Sequence, residues 1–255
     1  MTFTPDSAEA AQVRPSPNFG ARAGGRLPDM LLLHYTDMPS AAVALERLCD
    51  PATQVSCHYL IYEDGRIVQL VREADRAWHA GASCWAGERD INSCSIGIEL
   101  VNEGHRAGYP DFPDAQMDAA VALCADIVRR HQIAPCRVLA HSDVAPDRKI
   151  DPGEKFDWQR LARAGAGLWP EPQLARTRPV LVPADSGADV SALQRDLASI
   201  GYDVALTGVY DRRCELAVAA FQRHFRPALV DGRADPDTLA MVDAVTGACH
   251  ALTDL

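Results

Sequence analysis

Three short runs constrain this chain most. "MLLLHY" (30–35), "SIGIELV" (95–101) and "CRVLAH" (136–141) are mostly apolar over consecutive positions, and each carries a polar or charged side chain at or near its far end. Consecutive apolar residues without alternation read as strands covered on both faces. "SCHYLIYEDGRIVQLV" (56–71) reads as two further strands turned at Asp64-Gly65, a strong hairpin signal. "DAQMDAAVALCADIVRRHQ" (114–132) places Met117, Val121, Cys124 and Val128 at helical spacing, with Asp114 as the expected N-cap. A hairpin beside helix-connected strands predicts an α/β fold, α+β in the strict sense: a mixed β-sheet flanked by helices.

At 255 residues the chain has room for one large domain and a small one. The segment around 169–184, from "WPEPQ" to "VLVPA", is proline-rich and reads as a linker. Beyond it, 185–250 carries three helical patterns. Val190, Leu193, Leu197 and Ile200 form the first, stopped at Gly201, and Ala217, Phe221 and Phe225 mark the second, entered through Asp211. Asp235-Pro236 opens the third, as cap and first helical residue. Three such helices predict a small all-α C-terminal domain. Residues 1–14 read as a flexible leader.

A formal charge of −10 argues against nucleic acid or an acidic membrane as the main partner. No run approaches the ~20 apolar residues of a membrane span. The first residues lack the basic and apolar regions of a secretion signal. Cys49, Cys57, Cys84, Cys94, Cys124, Cys136, Cys214 and Cys249 form no CxxC pairs, and reduced thiols are the expectation.

His34 and His141 close two of the apolar runs, where a sheet edge brings distant residues together, and Asp151 lies ten residues past the second. Two imidazoles and a carboxylate suit a zinc ion with a fourth position for water. Taken singly, a strand-end histidine reads more readily as a surface or structural residue than as a ligand.

"LLLHYTDM", "SCHYLIYEDGRI", "RAWHAGASCW", "INSCSIGIELVN" and "AHSDVAPDRKIDPG" together resemble the type 2 zinc N-acetylmuramoyl-L-alanine amidases, relatives of phage amidase lysozymes and peptidoglycan recognition proteins. The resemblance spans roughly residues 15–165 and implies a catalytic domain over 15–168. It implies one zinc ion on His34, His141 and Asp151, with Glu99 as catalytic acid/base and Lys149 beside the metal. Lys149 and Asp151, two apart in an extended segment, point to one side. The lysine then either steadies an oxyanion or neutralises Asp151. His79 is a substrate-contact candidate or a loop histidine packed under Trp78. Asn92 either bonds substrate or caps a turn, and Trp85 either faces a sugar ring or packs. His58 reads as a core residue. Cys57, Cys84 and Cys94 depart from the family pattern, and a thiol near zinc is an accidental ligand or an oxidation-sensitive spot.

Residues 185–245 resemble the three-helix peptidoglycan-binding module of wall hydrolases, through Leu193-Gln194, Gly201-Tyr202, Gly208, Phe221-Gln222, Asp231-Gly232 and Thr238-Leu239. Together the resemblances imply hydrolysis of the amide between N-acetylmuramic acid, or its 1,6-anhydro form, and L-alanine of the stem peptide. The alternatives are a non-catalytic muropeptide receptor and a zinc peptidase cutting within the stem peptide. Peptidoglycan or muropeptide fragments are the expected partners. The leader and the thiols place the protein in the cytoplasm, whereas a wall-binding module points to the periplasm or envelope.

Overall fold

The computed structural model describes residues 3–173 and 178–253. The three apolar runs become adjacent strands. β3 (Met30–Tyr35) is central; β7 (Ser95–Leu100) and β8 (Val138–Ala140) pair with it in parallel on either side. β4 (Tyr59–Ile61) continues the sheet parallel to β7, and β5 (Ile67–Gln69) returns antiparallel after the Asp64-Gly65 turn. The full order is β1-β5-β4-β7-β3-β8, with β1 (Gln12–Val13) at the edge. β2 (Phe19–Ala21) and β6 (Asp75–Ala77) form a separate antiparallel pair. The expected mixed sheet flanked by helices is what the chain builds.

Alternation along the strands divides the sheet into two faces. Leu31, Leu33, Ile96, Ile98, Val138 and Ala140 lie in the core that includes α3 (Asp114–His131) and α5 (Trp158–Arg163). Met30, Leu32 and Leu139 belong to a second core, shared with α6 (Ala188–Ile200), α7 (Arg212–Phe225) and α8 (Pro236–Thr253). The C-terminal helices thus pack onto the sheet. α1 (Ala41–Cys49), started by Ser40, borders a third cluster around Leu60 and Val68.

The caps follow the sequence, with one difference. Asp211 accepts from Cys214 N–H at 2.9 Å and Asp235 from Thr238 N–H at 2.9 Å, so both begin helices as expected. In α3 the N-cap is Pro113 and Asp114 is the first helical residue, where its charge meets the helix dipole and Arg160.

Residues 3–14 are not a free leader. Ser7 and Ala10 are buried, β1 pairs with β5, and the Asp6 carboxylate accepts from Gln69 Nε2 at 2.5 Å and Glu73 N–H at 2.8 Å. A short polar stretch shows no periodicity, and what fixes it here is an unpaired sheet edge. Within the segment read as a linker, Leu181 is buried and exchanges backbone hydrogen bonds with Ala234. Positions 174–177 of that segment lie outside the described residues.

Candidate metal centre and active site

Strand register assembles the site. His34 is the Cα partner of Glu99, and Leu33 that of Ala140, so His141 follows directly alongside His34. The carboxyl ends of three neighbouring parallel strands thereby present one row of chemical groups, the usual position of a site in an open α/β sheet. All three stand on the face shared with the C-terminal helices. His141 is also the first residue of α4 (His141–Val144), and Asp151 reaches in from the loop beyond, where its carbonyl accepts from Ser142 N–H at 3.0 Å.

Three ligand atoms converge. His34 Nδ1 lies 2.8 Å from His141 Nδ1 and 3.1 Å from Asp151 Oδ2, and His141 Nδ1 lies 3.0 Å from the same oxygen. The three residues are 1%, 2% and 5% exposed. Among the described residues they form the one group of this kind able to hold a metal ion. The opposite ring nitrogens are occupied. His141 Nε2 donates to the Ala80 carbonyl at 3.0 Å, and His34 Nε2 meets His79 Nδ1 at 3.0 Å. A neutral imidazole that donates from Nε2 offers a lone pair at Nδ1. Burial and the neighbouring His141 hold the His34 ring down to about 4, so it remains neutral at ordinary pH. Although burial opposes it, the charge and Nδ1–H hydrogen bonds that His141 and His34 offer when protonated hold the Asp151 carboxyl well below the carboxylate range, so it stays anionic. Two lone pairs and an anionic oxygen within contact of one another form a donor set that a divalent cation satisfies, and the occupied far nitrogens are the outer support such ligands require.

His79 and Asn92 serve that support. The His79 backbone N–H and the Ala80 N–H donate to Asn92 Oδ1 at 3.0 and 2.9 Å, fixing the Ala80 carbonyl beneath His141. The His79 ring lies over Gly97, where an added Cβ would come within 2.5 Å of it. His79 also lines the cavity, so holding His34 leaves it within reach of a ligand. His58 lies deeper in the core. Its Nδ1 accepts from Gly97 N–H at 2.9 Å, and burial with the Arg22 charge pushes it down to about 3.

A cavity of about 670 Å³ opens over the three ligands, and Glu99 and Lys149 both line it. Glu99 Oε2 is buried without a hydrogen-bond partner. Burial, reinforced by Asp151 and opposed by Lys149, raises the Glu99 carboxyl well above its ordinary range. Trp78, Arg47, His105 and Arg106 complete the wall. Of these, His105 is held by Tyr35 and Glu154 and stacks on Tyr109; no local pattern in the sequence singled it out.

Trp85 and Asn92 take the structural one of the two readings left open for each. Trp85 is buried away from the cavity, packed edge-on against Tyr202 at 4.9 Å and over Gly201, so it joins the catalytic and C-terminal parts instead of facing a sugar. Asn92 is buried with its carbonyl oxygen fully engaged, which makes it a strut. No cysteine joins the metal-binding group among the described residues. The Cys94 thiol is pushed up to about 11 by burial, which favours the unreactive form.

Residues 24–154 match the family described as N-acetylmuramoyl-L-alanine amidase, and residues 186–242 match the PG_binding_1 family, named for peptidoglycan binding. The chain is 41% identical over 230 residues to N-acetylmuramoyl-L-alanine amidase AmiD of Escherichia coli, covering 85% of this chain and 81% of that protein. Its structure resembles that of AmiD from E. coli in complex with the substrate anhydro-N-acetylmuramic acid-L-Ala-D-γ-Glu-L-Lys, with a TM-score of 0.75, 38% identity and 89% and 92% of the two chains covered. AmpDh3 from Pseudomonas aeruginosa in complex with anhydromuramic pentapeptide aligns with a TM-score of 0.74 and 31% identity, over 92% of this chain and 96% of that one.

Proposed function

This chain belongs to the N-acetylmuramoyl-L-alanine amidase family, and from that premise we propose how its own residues cleave the amide between N-acetylmuramic acid and the L-alanine of a stem peptide. The family is zinc-dependent in general, and His34, His141 and Asp151 are the residues that would hold one zinc ion here. When bound, the ion supplies Lewis acidity to the scissile carbonyl and lowers the pKa of a water. The observation that carries the reading is a buried, unpartnered Glu99 oxygen in the same cavity as three convergent ligand atoms.

The remaining chemistry belongs to the side chains. Glu99 takes the proton of the attacking water and passes it to the departing alanine nitrogen. Burial raises its pKa above that of an ordinary carboxylate, which makes it a stronger base toward the proton of the water. The Lys149 ammonium, on the cavity wall, stabilises charge developing on the carbonyl oxygen. Arg148 donates to the Ala80 and Ala82 carbonyls, which clamps the 148–151 segment carrying Lys149 and Asp151 onto the 79–82 loop. His79, Trp78 and the His105 side of the cavity are the walls available to glycan and peptide. The match of residues 186–242 supports a second contact with peptidoglycan, which raises the local substrate concentration.

The test uses purified zinc-loaded protein and muropeptide. Glu99→Gln is expected to keep the metal and lose turnover; full activity would remove Glu99 from its role. Mass spectrometry separates the alternatives, since only an amidase frees a peptide beginning at L-alanine. A cut inside the peptide supports a peptidase, and retention of intact muropeptide supports a receptor. Comparing intact sacculi with soluble anhydro-muropeptides reads the preferred form of the substrate.

A further inference from the structure

The third residue of α4 links the metal site to the C-terminal helices. Asp143 is 0% exposed, and its carboxylate has three partners. Oδ2 accepts from the N–H of Ala140, the residue before His141, at 2.8 Å, and meets His224 Nδ1 at 2.7 Å. Oδ1 accepts from the Tyr202 hydroxyl at 2.7 Å. Tyr202 follows α6 and His224 lies on α7, so two of the three donors come from the C-terminal module. The His224 ring is itself fixed, stacked at 3.7 Å on Trp158 and at 3.9 Å on Phe225.

α4 has only four residues, too few to hold a helical frame unaided. Its frame depends on what Asp143 grips, and a buried carboxylate short of donors moves toward water or toward new partners. Either movement carries His141, two residues earlier on the same turn. The module also braces the other side of His141. Ala86 N–H donates to the Gly201 carbonyl at 2.8 Å, and Cys84 N–H to the α4 carbonyl of Val144 at 2.8 Å. That 84–86 segment follows directly on the 79–82 loop, whose Ala80 carbonyl accepts from His141 Nε2.

We propose that Tyr202 and His224 are positioning residues for the metal ligand His141, acting through Asp143, so that the C-terminal module is a structural part of the metal centre as well as a candidate tether. The proposal rests on the reading of His141 as a ligand. It applies to the metal-free protein, whose ligand geometry the module sets before any ion or substrate arrives.

The experiment measures zinc affinity of the metal-stripped, full-length protein by competition with a chromophoric chelator, without substrate. Tyr202→Phe/His224→Leu is expected to weaken zinc binding roughly 10–100-fold, the range for loss of groups that orient metal ligands. Tyr202→Phe alone, which keeps the ring, weakens it several-fold and serves if the double variant fails to fold. His224→Gln, which keeps an N–H donor, restores most of the loss. Val245→Ala removes buried volume from α8, which supplies none of the hydrogen-bond partners of Asp143, and leaves affinity unchanged. Folded clasp variants that bind zinc within twofold of the unaltered protein overturn the proposal, as does an equal loss in Val245→Ala. An unaltered protein that binds no zinc, or a His141→Ala variant that binds it normally, overturns the ligand reading first and this proposal with it.

Discussion

Replacing Glu73 by glutamine tests a buried charge network outside the active site. The Glu73 carboxylate is buried and receives Arg130 Nη1 at 2.5 Å and Nη2 at 2.7 Å, His131 Nε2 at 2.7 Å and the Tyr59 hydroxyl at 2.7 Å. Burial alone would raise its pKa, but the hydrogen bonds from Arg130, His131 and Tyr59 prevail and hold it at about 2 against an ordinary 4.5. At about 1.36 kcal/mol per unit, that depression corresponds to about 3 kcal/mol of folding stability. Because the folded pKa is the lower one, the contribution is complete above pH ~4.5 and is lost as pH falls through about 2. Glutamine keeps one acceptor but turns an N–H pair toward donors. Urea unfolding of the metal-free protein is therefore expected to show Glu73→Gln less stable by about 3 kcal/mol at pH 7, within the ~5–15 kcal/mol of a typical domain, so the variant remains folded. The gap between the two proteins should narrow as pH falls below 4.5 and close only below about pH 2. A gap that stays constant from pH 7 to pH 3 would refute the electrostatic account and leave a packing defect in its place.

Three further outcomes follow from the site. Lys149→Met should lower kcat by about 10²–10³ with KM little changed, as for loss of one oxyanion donor; an unchanged kcat in steady-state assays would return the lysine to neutralising Asp151. Gly97→Ala should displace the His79 ring from His34 and weaken both zinc binding and turnover, with the near-ultraviolet spectrum preserved; wild-type zinc affinity would show that His79 does not support the ligand. Gly201→Ala combines a φ of +137° with a Cβ driven into the Trp85 ring, and thermal denaturation should register a loss of at least ~2 kcal/mol; no change in melting temperature would contradict the tight packing there.

Much of the catalytic side was legible because it is local. A run such as "MLLLHY" declares a buried strand by itself, and a strand that ends in histidine declares where a polar group emerges. His34, Glu99 and His141 each stood at such an end, and parallel register did the rest. Helix caps at Asp211 and Asp235 were equally local, since a cap bonds only to residues three positions away.

What the sequence by itself determined, then, is which segments are strands and helices and which side chains close them, because periodicity and capping act within a few residues. The tertiary structure alone decided the partners. Trp85 looks the same whether it faces a sugar or Tyr202, and Asn92 the same whether it bonds substrate or two backbone N–H groups. Residues 3–14 gained order from a sheet edge formed by residues some 55 positions further on. Asp143 met Tyr202 and His224 across separations of 59 and 81 residues. Contacts of that range are set by how whole layers pack, a property no short window of the chain contains.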